Sequence, residues 1–425
     1  MAPAAAHGER PTGDVLARVH REEHSRLLAA LVRRFGDLDL AEDAAQEAME
    51  AALRSWPEQG VPRSPLAWLT TVATRSALDR VRRDATAARR LAELHVREGS
   101  AAAPPADERA LTADDLPDER LAMLMGCCHP AIAPADRIAL MLRFVGALTS
   151  AEVAQALLLA TPTLQARITR AKQRIAAHRI PLTVPTDPAE RERRLPLVLT
   201  AISLIFTEGY SATSGDAPIR RGLSAEAIRL ARITRQLLPA SAEAQGLLAL
   251  LLLSDARSPA REDAEGIPVP LEDQDRSRWD AGSIAEGLAL VEEAAARPNA
   301  GRFTVQAAIA AVHAEAPRFE DTDWAQVVAL YDLLLTHGED PVVRMNRAIA
   351  VGRTRGPAEG LALLEQLAAE PELARHHPFH ISLALLREQL GRTDGAVAAW
   401  RRALDLAGGI AEQRFIRRRL ARLGE

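Results

Sequence analysis

The stretch ATPTLQARITRAKQRIAAHR, Ala160 to Arg179, holds Arg167, Arg170, Lys172, Arg174 and Arg179 and no acidic residue. The chain around it is mildly acidic, with a formal net charge of −4. At about 100° per residue, Leu164, Ile168, Ala171 and Ile175 fall on one stripe, which predicts a helix with a single apolar seam. Thr163, Arg167, Arg170 and Arg174 form a second stripe beside it, and Gln165, Thr169 and Lys172 lie on the other side. Thr161 reads as the N-cap and Pro162 as the first helical residue, where its missing N–H costs nothing.

Just upstream, TSAE (Thr149 to Glu152) is a capping box that opens another helix, running to about Leu158. A short helix, a tight turn and a longer basic helix have helix-turn-helix spacing. Arg and Gln side chains make bidentate contacts to base edges, and Lys and Thr suit phosphates. The competing reading is a solvated surface helix. All but one of the 53 basic residues are arginine, so arginine here is partly a codon habit. The spacing, the capped start and the absence of any acid together favour DNA.

Helical spacing is the rule throughout. The chain of 425 residues is 48% hydrophobic but only 3% aromatic, alanine and leucine dominate, and no stretch alternates with period two for long. The expected fold is all-α. The length suits two or three domains. The two cysteines, Cys127 and Cys128, are adjacent, which excludes a disulfide framework and points to a reducing compartment. The start, MAPAAAHGERPTGD, has no basic region followed by an apolar core. The longest apolar run, Leu247 to Leu253, is far shorter than the roughly 18–20 residues that span a bilayer. The expectation is a cytoplasmic protein with no membrane contact.

Four stretches separate by composition. Residues 14–84 form a helical block. Residues 85–115, rich in Ala, Pro, Asp and Glu, read as an acidic flexible linker. Residues 116–180 form a second compact block that contains the basic helix. After IPLTVPTDP, residues 189–425 form a long helical region. The acidic excess lies there: after position 180 the chain carries 29 basic and 34 acidic residues.

Within the first block, LDLAEDAAQEAMEAALRSW (Leu38 to Trp56) gathers Asp39, Glu42, Asp43, Gln46, Glu47 and Glu50 on one side and Ala41, Ala45, Ala48, Met49 and Ala52 on the other. An acidic stripe repels phosphate, so it is either plain solvated surface or a dock for a basic protein partner. Next, SPLAWLTTVATRSALDRVRRD (Ser64 to Asp84) starts a helix at Pro65, turns Trp68, Leu69 and Val72 toward a core, and ends in Arg75, Arg80, Arg82 and Arg83. A basic end beside the hydroxyls of Thr70, Thr71, Thr74 and Ser76 suits single-stranded or melted nucleic acid.

In this order, the D-x-A-E-D-x-x-Q-E helix, the P-x-x-W-L helix ending D-x-x-R-R, the acidic linker and the helix-turn-helix resemble a bacterial RNA polymerase sigma factor. The likeness covers about residues 15–180 and is to the extracytoplasmic-function group, which keeps only sigma regions 2 and 4. It implies core RNA polymerase and promoter DNA as partners. Asp39, Glu42, Asp43, Gln46 and Glu47 match the segment that docks on the β′ clamp helices. The loop from Pro57 to Ser64 and the helix bearing Trp68, Thr71, Arg75, Asp79, Arg82 and Arg83 match the part that opens and holds the −10 element. Many relatives carry Asn where this chain has Arg75. Thr161, Thr163, Gln165, Arg167, Arg170, Lys172 and Arg174 match the −35 recognition helix, in the region that meets the β flap. Asp107, Glu108, Asp114 and Asp115 of the linker match a connector that runs near the path of nascent RNA, where they would mimic its phosphates.

The remaining 235 or so residues exceed the simple members of that group. HISLALLREQLGRTDGAVAAWRRALDLA (His380 to Ala407) resembles a tetratricopeptide helix pair, with Gly391 at the turn and Ala396, Trp400 and Ala403 as packing positions. NRAIAVGRTRGPAEGLALLEQL (Asn346 to Leu367) is a partial predecessor. Stacked units of this kind offer a concave surface for a protein or peptide ligand, so this region is expected to regulate the sigma part in cis or to bind a partner. VPLEDQDRSRWDAGSIAEG (Val269 to Gly287) is a charged break that reads as a salt-bridged loop. No glycine-rich phosphate loop occurs, CCHP (Cys127 to Pro130) lacks a second cysteine pair for zinc, and no catalytic arrangement stands out. No enzyme, metal or cofactor is expected. The alternative is a stand-alone helix-turn-helix regulator with a partner-sensing repeat domain, but such a protein has no use for an acidic docking stripe.

Overall fold

In the computed structural model of the chain, residues 12–94, 119–157, 159–210 and 220–424 are described. The expected all-α fold is what forms. Every named element among them is helical, and a lone antiparallel bridge joins Glu262 to Pro268. The chain divides into two compact units, residues 1–198 and 199–425.

The first unit opens with α1 (Thr12–Phe35), α2 (Leu38–Gln59) and α3 (Pro65–Leu94), which pack on one another. Asp37 caps α2 by accepting from the Leu40 amide at 3.0 Å. The buried face of α2 is the alanine side: Ala41, Ala44, Ala45, Ala48 and Ala52, closed by Trp56. Small residues let α1 and α3 approach closely, and Leu27, Leu28, Leu31, Leu69, Ala73 and Ala77 fill the interface. Trp56 is fully buried, with the half-buried Trp68 ring edge-on to it at 5.5 Å. The helix α3 continues ten residues past 84, into the stretch read as linker, because ATAARRLAEL consists mostly of strong helix formers. Asp107, Glu108, Asp114 and Asp115 lie outside the described residues.

Then come α4 (Glu119–Cys127), α5 (Pro134–Leu140) with a π-helical turn at Met141–Val145, α6 (Ser150–Ala156) and α7 (Thr161–Ala177). The capping box at Thr149 forms in both directions: the Glu152 amide donates to the Thr149 hydroxyl, and the Thr149 amide to the Glu152 carboxylate. Thr161, by contrast, is already helical. Ala160 stands at the N-cap with no side chain to offer, and Pro162 sits in the first turn. The helix α7 ends on Arg179 in the left-handed region (φ 46°), where the Ile180 amide reaches back to the Ile175 carbonyl at 3.0 Å. Ile180 and Leu182 are buried, so the segment after α7 is packed down rather than a loose tether. It crosses α4 at Gly126, where a Cβ would come within 2.4 Å of the Leu182 Cα.

The division between units falls within α8 (Pro188–Tyr210). The second unit continues with α9 (Arg221–Leu237), α10 (Ala242–Asp255), α11 (Ala281–Ala295) and α12 (Arg302–Glu315). The apolar run Leu247 to Leu253 belongs to α10, which is buried almost all round because α9, α11 and α12 pack against it. The Glu243 carboxylate accepts from the amides of Gly301, Phe303 and Thr304, supplying from α10 the cap that Gly301 lacks on α12.

The charged break is a structural loop. Arg276 donates to the His313 and Ala316 carbonyls at the end of α12, both at 2.6 Å. Asp280 caps α11, and Glu272 pairs with Arg353 at 2.7 Å. Beyond it run α13 (Trp324–Leu335), α14 (Pro341–Arg355), α15 (Pro357–Gln366), α16 (His377–Gln389), α17 (Thr393–Leu406) and α18 (Ile410–Arg422). They pack as successive neighbours: α14 on α15, α16 on α17, α17 on α18. Ala396, Trp400 and Ala403 are buried as expected, and Gly391 adopts φ 69° at the turn between α16 and α17.

Candidate polymerase- and DNA-binding surfaces

The acidic stripe forms on α2, opposite its alanine seam. Asp39, Gln46 and Glu47 are exposed, and Glu42 and Asp43 are half-buried. None of the four acids is alone. Asp43 pairs with Arg80 and Glu47 accepts from the Ser76 hydroxyl, both on α3. Gln46 donates to Glu50 at 3.2 Å. Asp39 and Glu42 share the Lys172 ammonium from α7, and Arg143 stands 3.7 Å from Glu42. Burial works against the Lys172 ammonium, but the bonds to Asp39 and Glu42 outweigh it and hold its pKa above the usual lysine value.

The basic end of α3 has a different character. Thr71, Arg75, Asp79, Arg82 and Arg83 are exposed along one side of the helix. Thr71 bonds its own backbone at Ala67, and Asp79 and Arg82 stand 3.8 Å apart as a loose surface pair. Such a pair exchanges readily for a phosphate, because an exposed ion pair contributes little. Trp68 is committed to the Trp56 edge, with the rest of its ring half-buried.

On α7, Leu164, Ala171 and Ile175 are buried and Ile168 is half-buried, as its seam predicts. Thr161, Thr163, Gln165, Arg170 and Arg174 are exposed, and Arg167 is half-buried. Arg170 leans 3.5 Å from Asp136, which ties α7 to α5. Lys172, expected at a phosphate, faces α2 in the chain by itself. Its side chain is only 17% exposed and is spent on α2. The sequence reading missed Arg143, Arg80 and Ser76 as partners of the acids. Nothing local marks them, since each pairing bridges separate helices.

Cys127 and Cys128 are buried and free, and no group of acidic, histidine or cysteine side chains among the described residues is arranged to hold a metal. Burial pushes both thiols up, Cys128 to about 12. No described helix is long and apolar enough to cross a membrane.

Residues 20–86, which span this acidic face and most of α3, match sigma-70 region 2. Residues 194–295 match a family of unknown function (DUF6596). The chain is 41% identical over 401 residues to an uncharacterised protein of Rhizobium meliloti (strain 1021), covering 93% of each. It is 29% identical over 164 residues to the ECF RNA polymerase sigma factor SigK of Mycobacterium ulcerans (strain Agy99), covering 38% of this chain and 83% of that one. Against the protein of the same name in Mycobacterium sp. (strain KMS) the identity is 28% over 159 residues, 36% of this chain and 78% of the relative. With kinship along nearly all its length, the chain belongs to one family with the Rhizobium meliloti protein, and that family carries a sigma-70 region 2 at residues 20–86 of this chain.

Proposed function

We propose that the chain binds core RNA polymerase and directs it to promoters as an extracytoplasmic-function-type sigma factor. The observation that carries this is the acidic face of α2 inside the segment that matches region 2. A face of Asp39, Glu42, Asp43, Gln46 and Glu47 repels DNA and suits a basic protein surface, assigned here to the β′ clamp helices. Trp68, Thr71, Arg75, Asp79, Arg82 and Arg83 then meet the opened −10 element. Here Arg75 contributes charge rather than the amide that many relatives carry. The helix α7 reads the −35 element through Thr161, Thr163, Gln165, Arg167, Arg170, Lys172 and Arg174, with its region seated at the β flap. Asp107, Glu108, Asp114 and Asp115 are assigned to the path of nascent RNA. The second unit acts as a tetratricopeptide-like regulatory module that engages a protein or peptide. No catalytic step, metal or cofactor enters this function, and its place is the cytoplasm.

The test is size-exclusion chromatography of the full chain with purified core RNA polymerase. Co-elution that survives moderate salt supports the reading. Separate elution at every salt concentration overturns it and leaves a regulator that acts without polymerase contact.

A further inference from the structure

We propose that the second unit holds a site for a small oxyanion, a carboxylate or a phosphate, where Arg257 at the end of α10, Arg276 and Trp279 of the charged break, and His313 near the end of α12 come together. The site belongs to the second unit alone and does not depend on polymerase docking by α2.

The cluster is built around one indole. Trp279 is only 7% exposed, and the guanidinium carbons of Arg257 and Arg276 stand 5.6 and 4.5 Å from its ring centroid. Arg276 spends one terminal nitrogen on the His313 and Ala316 carbonyls, both at 2.6 Å, which fixes it to the end of α12. Its other terminal nitrogen, Nη2, is buried without a hydrogen-bond partner, and so are Trp279 Nε1 and His313 Nδ1. Arg257 makes a single side-chain bond, 3.3 Å to the Gln274 amide oxygen. Arg261, four residues on, lies over the Tyr210 ring at 3.4 Å and adds a third guanidinium. Among the described residues, none of these three arginines forms an ion pair with a carboxylate. Glu320 and Asp321 act on Arg276 from beyond ion-pair reach, and Asp321 is already bonded to Arg318 at 2.9 Å.

Guanidiniums gathered without a counter-charge repel one another, and a buried donor without an acceptor keeps its full desolvation cost. A ring face attracts a cation but cancels no charge. The deficit shows in the titration of the cluster. Burial, then the charge of Arg257, pushes the Arg276 pKa down. Burial, then Arg257 and Arg276, lowers His313 to about 4, so its imidazole is neutral at pH 7. One ligand chemistry meets all of these demands. An anion whose oxygens accept from Arg276 Nη2 and Trp279 Nε1 gains charge-assisted bonds and offsets the guanidiniums. A neutral imidazole offers its Nδ1–H as a third donor. The unpartnered atoms lie below the surface, out of reach of a duplex backbone. A compact anion enters where Arg257 and His313 are half-buried, and Arg257, on its single long bond, is the side chain that moves aside to admit it.

The test is titration calorimetry of the full chain with inorganic phosphate and, separately, with succinate, at an ionic strength held constant with sodium chloride. Saturable binding of at least one of the two is expected, and which one binds separates a phosphate site from a carboxylate site. Arg257→Gln should weaken that binding about tenfold or more. Trp279→Phe keeps a ring and removes the Nε1 donor, so it should weaken binding too, and it serves if Arg257→Gln fails to fold. Arg355→Gln is the control: Arg355 is exposed at the end of α14 and pairs with Glu359 at 2.9 Å, and its loss should leave binding unchanged. Without added anion, Arg257→Gln should melt no lower than the wild type, because it relieves repulsion. Absence of saturable binding by both anions overturns the proposal. So does wild-type binding by the folded Arg257→Gln or Trp279→Phe chain, or an equal loss in Arg355→Gln, which would mark diffuse attraction to positive charge.

Discussion

Lys172 on α7 and Glu42 on α2, 130 residues apart in sequence, form an ion pair, and Asp39 shares the same ammonium. The pair joins the helix assigned to the −35 element with the face assigned to polymerase. It gives the lone lysine of the chain a definite job. A lysine offers three rotatable donors on a flexible stem and reaches two carboxylates at once, without the planar demand of a guanidinium.

Reversing Glu42 and Asp43 to Arg tests the docking face. Placing cations where a basic clamp must land should weaken core polymerase binding by about 2–5 kcal/mol. The fold should lose less than about 1 kcal/mol, since the pairs to Lys172 and Arg80 are part-exposed. A pull-down beside a thermal melt separates the two effects. Retention of polymerase at the wild-type level would show that α2 does not dock.

On α7, Arg167 and Arg174 should differ in kind when changed to alanine. Arg167→Ala should relax preference at one −35 position by roughly 1–3 kcal/mol. Arg174, fully outward on the last turn, should behave as a phosphate contact. Arg174→Ala should weaken all promoters alike and lower the salt slope by about one. Binding isotherms on a small promoter panel at several salt concentrations decide this, and equal sequence-blind losses from both would mean that neither residue reads a base.

What the sequence made legible follows the range of each interaction. The capping box at Thr149 and Glu152 is written in four residues and forms as read. The seam of α7 is likewise local. The N-cap at Thr161 was misplaced by one residue because Pro162 tolerates more than one position in the first turn. Trp68 was readable as facing inward, but its partner Trp56 was not, since that contact depends on how α2 and α3 cross. The continuation of α3 to Leu94 was hidden by the Pro-rich stretch that follows. The hold of Lys172 on Asp39 and Glu42 was illegible, because the partners stand 130 or more residues apart on helices whose mutual packing no local pattern marks.

Glu243→Ala should destabilise the second unit by about 1–3 kcal/mol, because it leaves the start of α12 without its charged acceptor. The Gly301 position tolerates no easy replacement cap, since a Cβ there would meet Glu243 itself at 2.9 Å. Urea unfolding gives the number. An unchanged midpoint would mean that the carboxylate is dispensable.

The buried thiols predict a pH dependence. Burial raises Cys128 from 9.0 to about 12, and raises Cys127 as well. Below about pH 9 the thiols are protonated in both states and their contribution is fully present. As pH rises from about 9 toward 12, the unfolded chain ionises first and stability falls. Native chain should resist alkylation at pH 8, while denatured chain reacts at both sites. Rapid native labelling would show that the thiols are reachable and that α4 opens.

The central claim is that this chain makes core polymerase promoter-specific, and in-vitro transcription from a promoter library tests it most directly. Core polymerase with the full chain should yield transcripts whose templates share one −10 and one −35 element, and Arg167→Ala should degrade preference within the −35 element only. Transcripts no more numerous or selective than those from core polymerase alone, under conditions where the chain is folded and bound, would contradict it.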